Sequence, residues 1–155
     1  MLPQVPKMMT TLRQELEKSI ESADSYDKAM EVAERIVANT QHAIQSDQIW
    51  TKWEKLLLGA LILHCGLSPE EKPGLTRIKE FLTAPDIARD AITTCLTTTE
   101  EKEALDKFEK ALDLVPSTNE GPKNQSLMSN RWAGTISGLA TRINKVSIDA
   151  PEIFG

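Results

Sequence analysis

The chain has 155 residues, of which 40% are hydrophobic and 26% charged, with a net charge of −5. That length suits one domain with a sizeable core, and the composition is that of a folded globular chain rather than a disordered one. The acidic balance gives the molecule as a whole no long-range attraction for nucleic acid or anionic lipid. The longest apolar run, residues 56–65, is far too short to span a bilayer, and no stretch reads as a signal peptide.

Taken in order, nearly every segment has helical period. Residues 1–23 read as a leader, loose around Pro3 and Pro6, followed by a short charged helix over 10–21. Residues 24–155 read as one domain. Asp24 or Ser25 caps its first helix, whose inner face carries Ala29, Ala33, Ile36, Val37, Thr40 and Ile44. Ser46 or Asp47 caps the next, which contains Trp50 and Trp53 and ends at Gly66. Its residues 56–63 are apolar almost all round the cylinder, so other helices must surround it. Trp50 and Trp53 are expected to pack in the core near its entrance.

A helix over 75–83 follows, then one with Pro85 in its first turn, ending near Thr97. Thr98 and Glu101 have the spacing of a capping box for a helix that buries Ala104, Leu105, Phe108, Ala111, Leu112 and Val115. A loop over 116–124 leads to a last helix over about 126–146, with Met128, Trp132, Ile136, Leu139, Ile143 and Val146 inward. No strand or hairpin pattern interrupts the series. The predicted fold is all-α, a bundle of about seven helices around the central apolar helix at 47–65, without internal repeats.

Phosphate-cradling glycine loops, dinucleotide fingerprints and zinc, calcium or serine-hydrolase motifs are missing from the sequence, and no cofactor or metal is expected. His64 shares a face with Trp53, Leu57 and Ala60 and reads as a satisfied core histidine. Cys65, adjacent to it, points another way and makes a poor partner for a metal clamp. Cys65 and Cys95 lie in apolar helical patterns without CxxC spacing, which predicts a reducing setting with both thiols as small core residues. Acidic residues of 100–113 alternate with Lys102, Lys107 and Lys110, the pattern of a solvated face. No catalytic constellation is recognisable, and the chain is not expected to be an enzyme.

Between Gly121 and Ile148 lie four basic residues, Lys123, Arg131, Arg142 and Lys145, and no acidic one. On a helix Arg131, Arg142 and Lys145 fall within an arc of roughly 60°. Gly138 lies in that arc and Gly134 beside it, where a partner's backbone can come close. These four cations are the candidate DNA- or partner-binding residues. The competing reading is a solvated basic face that balances the acidic helices.

The order of segments resembles a known family. "SYDKAMEVAERIVANT" is followed by "DQIWTKWEKLLLGALILHCGL" and "PGLTRIKEFLT". After an acidic stretch come "SLMSNRWAGTISGLATRINKVSIDAPEIF". This set is similar to the all-α domain of the conjugative type IV coupling proteins, the TraG/TraD-like DNA-translocating ATPases of type IV secretion systems. The likeness covers about residues 26–154, with Pro73-Gly74-Leu75 where the family has Pro-Thr-Leu.

The resemblance implies a substrate-recognition domain on the cytoplasmic face of a membrane-anchored, hexameric motor whose nucleotide site lies outside this chain. The partners implied are a relaxase or relaxosome accessory proteins, with single- or double-stranded DNA as a weaker partner. This chain itself is expected to make no membrane contact and to be a monomer or weak dimer in isolation. The alternative is a free-standing helical adaptor or regulator with no motor attached. A helical enzyme using Cys95 or His64 ranks last, because neither has a polar helper within helical reach.

Overall fold

An apolar helix without a polar face is stable only when surrounded, and residues 56–63 impose that demand on the rest of the chain. The computed structural model describes residues 14–40, 48–113 and 124–154, and every regular element in them is a helix. These are α1 (residues 14–21), α2 (Tyr26–Ala38), α3 (Gln48–Leu67), α4 (Gly74–Leu82), α5 (Pro85–Cys95), α6 (Thr99–Asp113) and α7 (Asn124–Phe154). The all-α architecture is therefore as expected.

α3 is the central post. It packs against α2, α4, α6 and α7, and Leu57, Leu58, Ala60, Leu61, Ile62 and Leu63 are fully buried. Burying each large aliphatic side chain contributes about 1.5–3 kcal/mol. Trp53 is buried at the entrance of this helix and meets half-buried Trp50 edge to face at 4.9 Å. Its indole Nε1 donates to the Ala111 carbonyl at 3.2 Å, tying α3 to the end of α6.

The outer helices begin and end where local chemistry dictates. Ser25 caps α2 by accepting from the Lys28 amide at 3.3 Å, and Ala29, Ala33, Ile36 and Val37 form its buried face. Ile44, assigned to the same face in sequence, lies outside the described residues, as do Ser46, Asp47, Val115 and the 116–123 part of the expected loop. Pro85 opens α5 as expected. α5 stops at Cys95, two residues before Thr97, because the Thr97 and Thr98 amides turn to the Glu101 carboxylate at 3.1 and 2.9 Å. The Glu101 amide returns a bond to Thr98 Oγ1 at 3.1 Å, which completes the capping box.

Two elements differ from what their patterns suggest. α1, set apart in sequence as part of a leader, buries Leu16 and Ile20 in the common core, and Ala23 follows them there just beyond its end. Its Glu17 Oε1 accepts from the Leu75 amide at 3.2 Å, serving the N-terminus of α4, where Pro73 supplies no side-chain cap. α7 continues past Val146 through Pro151 to Phe154. Proline removes one backbone bond, a loss this helix takes near its end.

Candidate functional site

The four basic residues singled out in sequence do not form one surface. Lys123 lies outside the described residues. Lys145 is exposed on α7. Arg131 is half-buried: its Nη1 donates to the Leu112 carbonyl, and its guanidinium carbon lies 5.5 Å from the centre of the Trp53 ring. Arg142 is fully inside the molecule. Its Nε donates to Glu54 Oε1, while Nη1 reaches the carbonyls of Val37 and Thr40 at 2.9 and 3.0 Å and Thr40 Oγ1 at 3.2 Å.

Both arginines thus bind carbonyls at helix ends, Arg131 at α6 and Arg142 at the end of α2 and just beyond it. A cation there also meets the negative end of the helix dipole. The reading of Arg142 as a candidate DNA- or partner-binding residue on an exposed face is corrected: its side chain is committed inside the fold. The sequence held a signal for this, since Leu139 at i−3 and Val146 at i+4 are core residues on the same side of the helix.

Gly138 in that arc and Gly134 beside it serve the same packing. A Cβ on Gly138 would stand 2.8 Å from Glu54 Cδ and closer still to Oε2, and one on Gly134 would stand 2.6 Å from the Trp50 ring. Trp50 and Glu54 are four residues apart on α3, as Gly134 and Gly138 are on α7, so two large side chains seat in two gaps one helical turn apart. The expectation that a partner's backbone comes close at these glycines is corrected: the space is taken by the Trp50 and Glu54 side chains of α3 in the same chain.

A second cluster lies at the other end of α3. His64 Nδ1 makes a hydrogen-bonded contact with Glu101 Oε2, although the two residues are 37 positions apart. Burial would push the Glu101 carboxyl upward, but hydrogen bonds from Thr98 and His64 outweigh it and hold the pKa below the ordinary glutamate value. His64 therefore does have a polar partner, supplied from α6 rather than from its own helix. Glu101 is buried and does not belong to the solvated face of its helix.

Beside this pair opens a cleft of about 300 Å³. Its walls are His64 of α3, Glu70 of the α3–α4 connection, Arg77, Glu80 and Phe81 of α4, and Ala91 and Cys95 of α5. Cys95 is exposed there, which corrects its reading as a core thiol. Cys65 is buried as expected, and burial pushes its thiol up to about 11 even though Arg77 opposes the shift. Periodicity offered no route to this cleft, because its polar residues come from three helices and a connection.

Among the described residues no helix is long and apolar enough to cross a membrane. Nor does any group of three or more His, Cys, Asp or Glu side chains among them have an arrangement that could hold a metal ion. The chain matches no family model, no curated protein and no solved structure.

Proposed function

We propose that this chain is a helical recognition domain of the type found in conjugative coupling proteins, selecting protein cargo for a DNA-translocating motor and performing no chemistry itself. One observation carries the reading. The segments in which the resemblance resides are α2, α3, α4 and α7, and these helices pack on one another: α2, α4 and α7 on α3, and α4 on α7. A shared order of such segments is what a shared core would require.

The cargo in this reading is a relaxase or a relaxosome accessory protein, met on the cytoplasmic face of the secretion complex. Protein contact is favoured over DNA contact. Of the proposed basic stripe, Arg142 is committed to the interior and Arg131 to the end of α6, and the whole chain carries a net charge of −5. The exposed, charge-alternating face of α6, with Glu103, Asp106, Lys107 and Lys110, is the surface assigned to the partner.

Immobilised chain should retain the relaxase or an accessory protein of its own transfer system, and reversing charges at Glu103 and Asp106 should weaken that retention. Single-stranded DNA should bind weakly at low salt, and Lys145→Ala should lower the salt slope by about 0.7 at most. Retention of DNA but of no relaxosome protein would overturn the reading. Retention of neither would favour the free-standing adaptor.

A further inference from the structure

We propose that the cleft bounded by α3, α4 and α5 binds a small monocarboxylate carrying an apolar group, held by the Arg77 guanidinium, with Glu70 as the displaceable internal stand-in for that carboxylate. The site is independent of the recognition surface on α6. It rests on the contrast between two buried arginines, Arg77 and Arg142.

Arg142 is heavily engaged: Nε and Nη1 together make four hydrogen bonds to protein atoms. Arg77 is almost as enclosed, at 6% exposure. Among the described residues, however, its side chain makes a single hydrogen bond, from Nη2 to Glu70 Oε2 at 3.4 Å. A charge-assisted bond of this kind normally closes to about 2.7–2.9 Å. None of the Arg77 nitrogens is both sealed from solvent and unbonded, so its spare donors are open to solvent, and the residue lines the cleft. A buried guanidinium with a fork of unfilled N–H groups facing a cavity is built to receive a planar oxyanion.

Glu70 is a weak occupant. Its side chain is 57% exposed, and it sits outside the helices on the 68–73 connection, where it can swing away without disturbing the core. An exposed partner at this distance contributes little.

The rest of the lining selects the ligand. Glu80, bridged to Lys72 at 2.9 Å, and Glu101 behind His64 already place negative charge nearby. A carboxylate that replaces Glu70 leaves the charge at the guanidinium unchanged, whereas a phosphate dianion adds to the repulsion. Phe81 and Ala91 give the cleft an apolar wall for the substituent. Its volume of about 300 Å³ is at the lower end for ligand pockets, which limits the ligand to a small one.

The test is a titration of the isotope-labelled full chain by NMR with three probes: phenylacetate, its neutral isostere phenylacetamide, and inorganic phosphate. Phenylacetate should shift the resonances of Phe81, Ala91 and His64 saturably, and the amide should not. Glu70→Gln, a surface change that leaves the core untouched, should tighten phenylacetate binding by up to about fivefold through removal of the competing carboxylate. Arg77→Lys keeps the charge but loses the fork and should abolish most of the binding. Because Arg77 is buried, that variant counts only with a native spectrum, and Glu70→Gln decides the matter without it. Equal shifts by acid and amide, tighter binding of phosphate, no saturable shift, or an unchanged affinity in Glu70→Gln would each overturn the proposal.

Discussion

Arg142 of α7 and Glu54 of α3 form an ion pair in the interior, Nε to Oε1 at 2.5 Å, with side chains 1% and 7% exposed. The pair joins three helices, since Arg142 also holds the Val37 carbonyl in the last turn of α2 and the Thr40 carbonyl just beyond it. Removing one partner leaves the other charge buried and unpaired, so Arg142→Ala or Glu54→Ala should each cost roughly 3–5 kcal/mol in denaturant unfolding. The double variant should cost clearly less than the sum of the two; strict additivity would show that the charges do not interact. Lost DNA binding in an Arg142 variant would then reflect unfolding, so a test of the basic residues has to leave Arg142 in place.

Leu61 is fully buried in the middle of α3. Leu61→Ala should lower stability by about 2–5 kcal/mol, because neighbouring helices cannot all collapse into the space left behind. A urea midpoint within error of the parent's would mean that α3 is not the post around which the bundle is built.

The apolar stripes of α2, α6 and α7 could be read in advance because spacing alone says which face of a helix is inward. Spacing does not say what another helix brings to that face. Arg142 and Glu101 were placed outside by residue type, and both are inside because a partner from elsewhere satisfies them: Glu54, 88 positions away, and His64, 37 away. Cys95 failed in the opposite direction. Its apolar context belongs to α5, but α5 ends at Cys95 and leaves the thiol at the mouth of a cleft. Where an interaction was local, as in the Thr98–Glu101 box, the sequence carried it in full.

Glu101 makes stability depend on acid. Its folded pKa is below the ordinary glutamate value, so the folded state binds the proton less readily than the unfolded chain does. Its contribution is therefore complete above the unfolded-state pKa of about 4.3 and is lost as the pH falls through the lower folded value. Glu101→Gln should flatten the stability profile across that acid range, while also lowering it at neutral pH through the weakened cap. An unaltered acid limb in the variant would assign the effect to other carboxylates.

The two thiols should separate cleanly. Cys95 is exposed, whereas Cys65 is buried with its thiol raised to about 11, so the nucleophilic thiolate is scarce and shielded there. Native protein should react with Ellman's reagent at one thiol per chain, and the second should appear only on unfolding. Cys95→Ser should remove the native reaction entirely. Rapid modification of both thiols in native protein would contradict the burial of Cys65.

Gly134 and Gly138 occupy equivalent positions one turn apart on α7, but they should not tolerate alanine equally. At Gly138 the new Cβ runs into the Glu54 carboxylate, at 2.8 Å from Cδ and nearer still to Oε2. That carboxylate cannot retreat, because Arg142 holds its other oxygen in the interior. At Gly134 the Cβ meets the rim of the Trp50 indole at 2.6 Å; Trp50 is only half-buried, so its ring is less confined than the Glu54 carboxylate. Alanine gains up to about 1 kcal/mol over glycine in a helix interior from propensity alone. Overpacking costs about 1–3 kcal/mol and is highest where neither side can move. Gly134→Ala should therefore come out near neutral, and Gly138→Ala clearly destabilising. Adding Glu54→Gln to Gly138→Ala should not rescue it, since the amide fills the same volume, whereas Glu54→Ala should relieve the clash and make Gly138→Ala neutral in that background. If Gly138→Ala costs as much in the Glu54→Ala background as in the parent, the glycine is not there to seat the carboxylate, and the packing of α7 on α3 at this turn is wrong.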